Sequence, residues 1–216
     1  MKKFCLRFLL AFVVLSIAHP LSAADKPENK ITENPAEVHP LKVGDKVPNL
    51  KLVNADGLAI PLQEILKKQP TVLIFYRGGW CLYCNRHLGE LKTIEEPLQK
   101  LGYQIVAVSP DSVEKLRESL KKHELNYMLL SDSPGEVIQA FGLAFRVDDA
   151  TFKKYKEEYG IDIEKDSGYK HHLLPVPAAY IVNQKGLIQY RYYNPDYKTR
   201  VNVQDLLKAA SEARKK

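Results

Sequence analysis

The run Thr71-Val72-Leu73-Ile74-Phe75-Tyr76 carries β-branched and aromatic side chains with no polar alternation. Such a strand is buried on both faces, which places it inside a sheet covered by helices on each side. It leads directly into Arg77-Gly78-Gly79-Trp80-Cys81-Leu82-Tyr83-Cys84. A long helical pattern follows, with Leu88, Leu91, Ile94, Leu98 and Leu101 on one face. Pro97 removes a backbone donor from that helix and is expected to kink it. Two cysteines three residues apart therefore stand where a buried strand ends and a helix begins.

The flanking sequence continues the alternation. Residues 43–60 hold short apolar stretches around Asp56-Gly57, a hairpin signal, and residues 61–68 suit a short helix. Residues 105–108 form a second buried strand. A helix over 112–123 follows, capped by Asp111 or Ser112, with Val113, Leu116 and Leu120 on one face. A strand over 127–130 and a short helix over 135–141 come next. Alternation at this spacing predicts a parallel α/β core with right-handed crossovers. It ends at 179–182 and 187–193, two strands joined by Asn183-Gln184-Lys185-Gly186, so an antiparallel hairpin closes the sheet before a helix over 203–214. Residues 145–172 are a polar, charged excursion with room for one helix, 151–159, whose mixed charges over 153–158 read as a solvated face.

Thiol chemistry suits the position of Cys81 and Cys84. The unpaired N–H groups and positive dipole end of a first helical turn stabilise a thiolate, and Arg77 is placed to add to the effect. An ordinary thiol of pKa ~8.5 is about 3% ionised at pH 7, whereas one lowered to ~6.5 is roughly 75% ionised. At separation i, i+3 the sulfurs share a helix face and can close a Cys81–Cys84 disulfide with little backbone movement. So small a loop is a redox switch more than a stability device. Two other readings of the pair stay open: a structural disulfide, and half of a metal site in which His87 joins Cys81 and Cys84 and His123, His171 or His172 completes the set. Haem attachment requires His directly after the second cysteine, where this chain has Asn85.

The ends and the composition bound the rest. Residues 1–24 run from Lys2, Lys3 and Arg7 through the apolar stretch 8–17 to Ser22-Ala23-Ala24, the order of a cleavable secretory signal with cleavage near Ala23 or Ala24. The expected product is periplasmic or secreted and has no membrane span. Removing the signal leaves 29 basic residues against 26 acidic, a net charge of +3 that carries no nucleic-acid signature. It also removes Cys5, leaving Cys81 and Cys84 alone in a compartment where disulfides persist. Residues 25–42, with Pro27, Pro35 and Pro40 and little apolar periodicity, read as a flexible linker, and 43–216 as one domain.

The segment from Phe75 to Cys84 resembles the active-site strand and turn of thioredoxins. Val176-Pro177 before the strand at 179–182 is similar to their cis-proline loop, which implies a substrate-binding surface of Trp80, Val176 and Pro177. The span from Val43 to about Leu207 is similar to the peroxiredoxin branch, the alkyl hydroperoxide reductase and thiol-specific antioxidant family. Gly44-Asp45-Lys46-Val47-Pro48 and Val106-Ala107-Val108-Ser109-Pro110-Asp111 carry that likeness. The implied fold is thioredoxin-like: a central mixed sheet with helices on both faces, an N-terminal β-hairpin extension and a closing antiparallel hairpin. The family spacing Pro-x-x-x-Thr-x-x-Cys puts Cys84 at the peroxidatic position, with Cys81 in place of Thr, Arg77 in place of Pro, and Pro177 where a distant Arg is expected. The acid that thioredoxins bury six residues before the first cysteine is here Phe75, so another group or water must take the proton.

Thiol–disulfide exchange is the leading expectation, with Cys81 attacking a partner's disulfide and Cys84 resolving the adduct. The alternative is a thiol-dependent peroxidase with Cys84 peroxidatic, and a metal-binding module using Cys81, Cys84 and His87 is the third reading. No cofactor is implied. The expected partners are protein disulfides or dithiols, or peroxide, with a membrane-linked thiol relay as electron source or sink. His171 and His172 read as surface residues that could reach the site. Residues 194–200 read as a turn tied by an Asp196–Arg200 pair.

Overall fold

A computed structural model describes residues 31–215. The proposed signal, residues 1–24, and the linker residues 25–30 lie outside the described residues. The chain begins with a short 3-10 turn, Pro35–Glu37, and then forms β1 (Lys51–Asn54), β2 (Ala59–Pro61), α1 (Leu62–Lys68), β3 (Thr71–Phe75) and α2 (Leu82–Lys100). It continues with β4 (Gln104–Ser109), α3 (Val113–His123), β5 (Met128–Ser131), α4 (Glu136–Ala140) and β6 (Ala144–Arg146). Two helices, α5 (Asp149–Tyr159) and α6 (Ile163–Ser167), precede β7 (Leu173–Pro175), β8 (Ala178–Val182), β9 (Ile188–Tyr193) and α7 (Val203–Ala213).

Seven strands form one mixed sheet in the order β2-β1-β5-β4-β3-β8-β9. The β3–β4 and β4–β5 pairs are parallel, and β8 runs antiparallel to both β3 and β9. The unbroken apolar run of β3 follows from its central place. Val72 and Ile74 face one core with Leu88, Leu91, Leu98, Leu206 and Ala210 from α2 and α7. Leu73 and Phe75 face the opposite core with Leu62 and Leu66 from α1, Val137 from α4 and Phe141 just after it. Helices thus cover both faces, as expected. Pro97 lies inside the last turn of α2, where its missing N–H leaves the Thr93 carbonyl without the usual helical donor.

Two expectations are corrected. Residues 31–42 are packed onto the domain: Val38 is buried, the Arg146 N–H donates to the Thr32 carbonyl at 2.8 Å, and the Leu41 N–H donates to the Phe141 carbonyl at 3.0 Å. The Arg191 guanidinium also donates to the Pro40 carbonyl at 3.0 Å. A stretch too polar to order itself is ordered by backbone partners that the domain supplies. The excursion at 145–172 holds two helices, and β6 pairs antiparallel with β7 at its base. It buries Val147, Ile163 and Leu174 against Phe145, Phe152 and Trp80, so its apolar contacts lie with the redox turn. Among the described residues no helix is long and apolar enough to cross a membrane.

Gly142 ties the early segment to the sheet. It takes φ +67°, and a Cβ there would overlap the His39 carbonyl oxygen. Gly142→Ala is expected to cost more than the ~1–2 kcal/mol of a left-handed non-glycine residue. It should lower Tm and open residues 31–41 to limited proteolysis. Unchanged melting and protection would contradict the packing described.

Candidate active site

After β3 the Tyr76 N–H still bonds the Val108 carbonyl, and the chain then turns through Arg77-Gly78-Gly79-Trp80 into α2. Gly78 takes φ +144°, and a Cβ there would stand 2.5 Å from Trp80 Nε1 and 2.8 Å from Asp111 Oδ1. Glycine is required at this approach. Cys81 is the N-cap of α2, and its sulfur accepts the Cys84 N–H at 3.3 Å. The Asn85 side chain donates to the Gly79 carbonyl at 2.8 Å and fixes the turn against the helix.

Cys81 and Cys84 are not joined by a disulfide. Cys81 is 4% exposed and Cys84 1%. The Cys84 thiol hydrogen bond lowers Cys81 to about 6, aided by the Cys84 backbone N–H and the charges of Arg77 and Arg200, against the opposing effect of burial. At that value about nine-tenths of Cys81 is ionised at pH 7. Burial and the neighbouring Cys81 charge push Cys84 well above the ordinary thiol range. The dithiol therefore loses its first proton from Cys81, and the second stays between the two sulfurs.

Sequence reasoning missed Arg200. Its Nη2 donates to Cys84 Sγ at 3.1 Å, while Nη1 donates to the carbonyls of Tyr197 and Thr199. The expected Asp196–Arg200 pair does not close the turn. Asp196 instead accepts from the Lys198 N–H and the Thr199 hydroxyl, both at 3.0 Å, which leaves the guanidinium free to reach the sulfur. Although Pro177 stands where the family places its distant Arg, a cation reaches Cys84 from the loop after β9.

Arg77 is 3% exposed and held among rings. Its guanidinium carbon lies 4.3 Å from the Tyr197 ring, 4.9 Å from Trp80 and 5.7 Å from Tyr155, and Nη2 donates to the Tyr155 hydroxyl at 2.6 Å. Tyr155 belongs to α5, so the excursion completes the cage, a contact no local motif announced. Beside it a cavity of about 220 Å³ is lined by Arg77, Phe145, Thr151, Tyr155, Pro177 and Tyr197.

Other expected participants are placed differently. The described residues contain no cis peptide bond, so Val176–Pro177 is trans. The Val176 N–H donates to the Leu143 carbonyl at 2.9 Å beside the β6–β7 pair, and is not free to bind a substrate backbone. Pro177 does line the cavity next to Arg77. His87 is buried with Nε2 unpartnered, and burial, with the charge of Arg200, lowers it to about 4. Among the described residues no three His, Cys, Asp or Glu side chains stand close enough to hold a metal ion, so Cys81, Cys84 and His87 do not form the ligand set of the metal-module reading. His171 Nε2 bonds the Ser133 carbonyl at 2.7 Å and His172 Nε2 bonds Glu164 at 2.8 Å, commitments that hold the excursion.

The electrostatics make a direct prediction. Ultraviolet titration of the thiolate in Cys84→Ser, which keeps a hydroxyl donor beside Cys81, should place its midpoint below that of an ordinary thiol. Adding Arg200→Gln should move the midpoint upward. A midpoint in the ordinary thiol range with Arg200 present would contradict the assignment.

Residues 43–191 match the AhpC/TSA family model, more than half of the chain. Over 106 residues the chain is 31% identical to peroxiredoxin Bcp of Escherichia coli, covering 49% of this chain and 67% of that protein. Over 165 residues it is 24% identical to the chloroplastic peroxiredoxin Q of Oryza sativa subsp. japonica, covering 76% of this chain and 64% of that protein. Reduced Prx3 of Vibrio vulnificus, solved in complex with hydrogen peroxide, superposes with a TM-score of 0.65 at 17% identity, over 79% of this chain and 99% of that one. Peroxidoxin BcpB of Mycobacterium tuberculosis gives 0.61 at 19% identity, over 80% and 97%. At such identities these likenesses show the fold, which is thioredoxin-like. The chain thus belongs to the AhpC/TSA family, as a peroxiredoxin-like oxidoreductase of the thioredoxin-fold superfamily acting on thiol/disulfide groups or on peroxides.

Proposed function

We propose that this chain is a thiol-dependent peroxidase in which Cys81 reacts first and Cys84 resolves. The observation that carries the reading is an ionised sulfur almost closed to solvent: Cys81 is 4% exposed, and its pKa is lowered to about 6. A small oxidant such as a peroxide reaches such a sulfur with little rearrangement, whereas a protein disulfide must displace the walls around it. The family match and the peroxiredoxin relatives support the same class.

The chemistry balances within the pair. The Cys81 thiolate attacks the terminal peroxide oxygen, the O–O bond breaks, and an alkoxide or hydroxide leaves and takes up a proton. Cys84 then attacks the Cys81 sulfenic sulfur, releasing water and leaving the Cys81–Cys84 disulfide, which an external dithiol reduces. The order differs from the family spacing, which makes Cys84 the peroxidatic residue. Deeper burial and a raised pKa make Cys84 the poorer first nucleophile, although Arg200 stands 3.1 Å from its sulfur. The secretory-signal order of residues 1–24 supports export, with an extracytoplasmic thiol relay linked to the membrane as the source of the dithiol.

One observation favours thiol–disulfide exchange as a second reading. Cys81 caps α2 directly ahead of the exposed side chains of Leu82 and Tyr83, a surface on which a partner protein can dock. Steady-state assays with a dithiol reductant separate the two. A peroxidase consumes peroxide catalytically, and Cys81→Ser and Cys84→Ser each lose turnover on the order of 100-fold or more. Efficient exchange with protein disulfides, combined with peroxide loss no faster than the reductant alone gives, would overturn the peroxidase reading.

A further inference from the structure

Arg77 is a buried cation whose bonding needs are only partly met. Its guanidinium stands among the rings of Trp80, Tyr155 and Tyr197, and Nη2 donates to the Tyr155 hydroxyl. Nε is buried without a hydrogen-bond partner, and among the described residues no carboxylate pairs with the guanidinium. The rings attract the charge and so offset part of the cost of burying it, but they do not serve the N–H donors in the guanidinium plane. A cation taken out of water is ordinarily matched by an anion.

The cavity of about 220 Å³ beside Arg77 is where such an anion can stand. Phe145, Val147, Pro177 and Pro195 give it apolar walls, and Arg77 is the buried charge among its lining residues. The other charged residues that line it are exposed, and two of them are committed elsewhere. Arg146 donates to the His171 carbonyl at 2.7 Å, and Asp148 caps α5 by accepting from the Thr151 N–H and hydroxyl. Asp148 and Glu33 disfavour a doubly charged anion by repulsion, which a single negative charge on the guanidinium tolerates better. An apolar cavity of roughly 150 Å³ accommodates a benzene ring, so this larger one takes a ring-sized body that carries a carboxylate. The planar guanidinium fork suits that planar group. The site adjoins the redox turn: Trp80 directly precedes Cys81, and Arg200 donates both to the Tyr197 carbonyl and, at 3.1 Å, to Cys84 Sγ.

We propose that the cavity beside Arg77 binds a small organic monocarboxylate with a ring-sized apolar body, the carboxylate accepting from the Arg77 guanidinium and the body lying against Phe145, Val147, Pro177 and Pro195. The ligand supplies the acceptor that the chain itself does not place there. Binding makes and breaks no covalent bond. It is therefore independent of which sulfur reacts first and of which oxidant starts the cycle.

Trp80 is the single tryptophan of the chain, and its ring lies 4.9 Å from the Arg77 guanidinium carbon, so its fluorescence reports an occupant of this site. The reduced protein is titrated with cyclohexanecarboxylate, with its neutral isostere cyclohexanecarboxamide and with sulfate, and the series is repeated in Arg77→Gln. The carboxylate should give a saturable change, with affinity weaker on the order of 10-fold or more for the amide, for sulfate and in Arg77→Gln. Equal binding of the amide or of sulfate, an affinity that Arg77→Gln leaves unchanged, or no saturable response, as for a cavity that holds water only, overturns the proposal. If Arg77→Gln does not fold, Thr151→Phe decides, because it fills the cavity from α5 with Arg77 in place. It should abolish the response, and binding at wild-type affinity overturns the proposal. The titrations contain no peroxide, so their failure leaves the proposed function standing, and a protein inert to peroxide that binds the carboxylate through Arg77 leaves this inference standing.

Discussion

Everything at this site depends on a negative sulfur held at the start of α2. Cys81 ends the turn from β3 and caps the helix, so the Cys84 N–H and the Cys84 thiol both point at it. A thiolate is costly to bury, and this one is stabilised by two hydrogen bonds, a helix N-terminus and the fields of Arg77 and Arg200. The same arrangement makes Cys84 reluctant to ionise, because a second charge beside the first is unfavourable. In the proposed cycle one sulfur attacks and the other waits, although the two lie within one helical turn.

The remainder of the fold keeps that turn rigid. β3 is paired on both sides and packed on both faces, so its C-terminal end cannot shift without disturbing two cores. The excursion after β6 packs on Trp80 and supplies Tyr155 to the Arg77 cage. The loop after β9 brings Tyr197 to that cage and Arg200 to Cys84. Three segments distant in sequence thus set the electrostatics of one dithiol.

Local signals made much of this legible. The double-sided burial of β3, the hairpin at Asp56-Gly57, the turn at 183–186 and the thiol pair at a strand–helix junction are each encoded within a few residues, and the structure places them where the pattern points. What escaped depends on partners far away in the chain. Residues 31–42 look disordered alone and are ordered by Phe141, Arg146 and Arg191. Val176 resembles a substrate-binding edge until the Leu143 carbonyl takes its N–H. The cap of α3 reads as Asp111 or Ser112; Ser112 takes it, while the Asp111 carboxyl turns inward to Gly79, which the local pattern does not announce. Arg200 is 116 residues from the sulfur it touches, and nothing in its neighbourhood announces that contact.

The central claim is the order in which the sulfurs react, and locating the first oxidation product tests it most directly. Reduced Cys84→Ser and Cys81→Ser proteins are exposed to less than one equivalent of hydrogen peroxide with a sulfenic acid trap, and the adduct is mapped and timed by mass spectrometry. Rapid adduct formation on Cys81, with slow formation on Cys84 in the complementary variant, is the predicted result. Faster formation on Cys84 would contradict the account and restore the order implied by the family spacing.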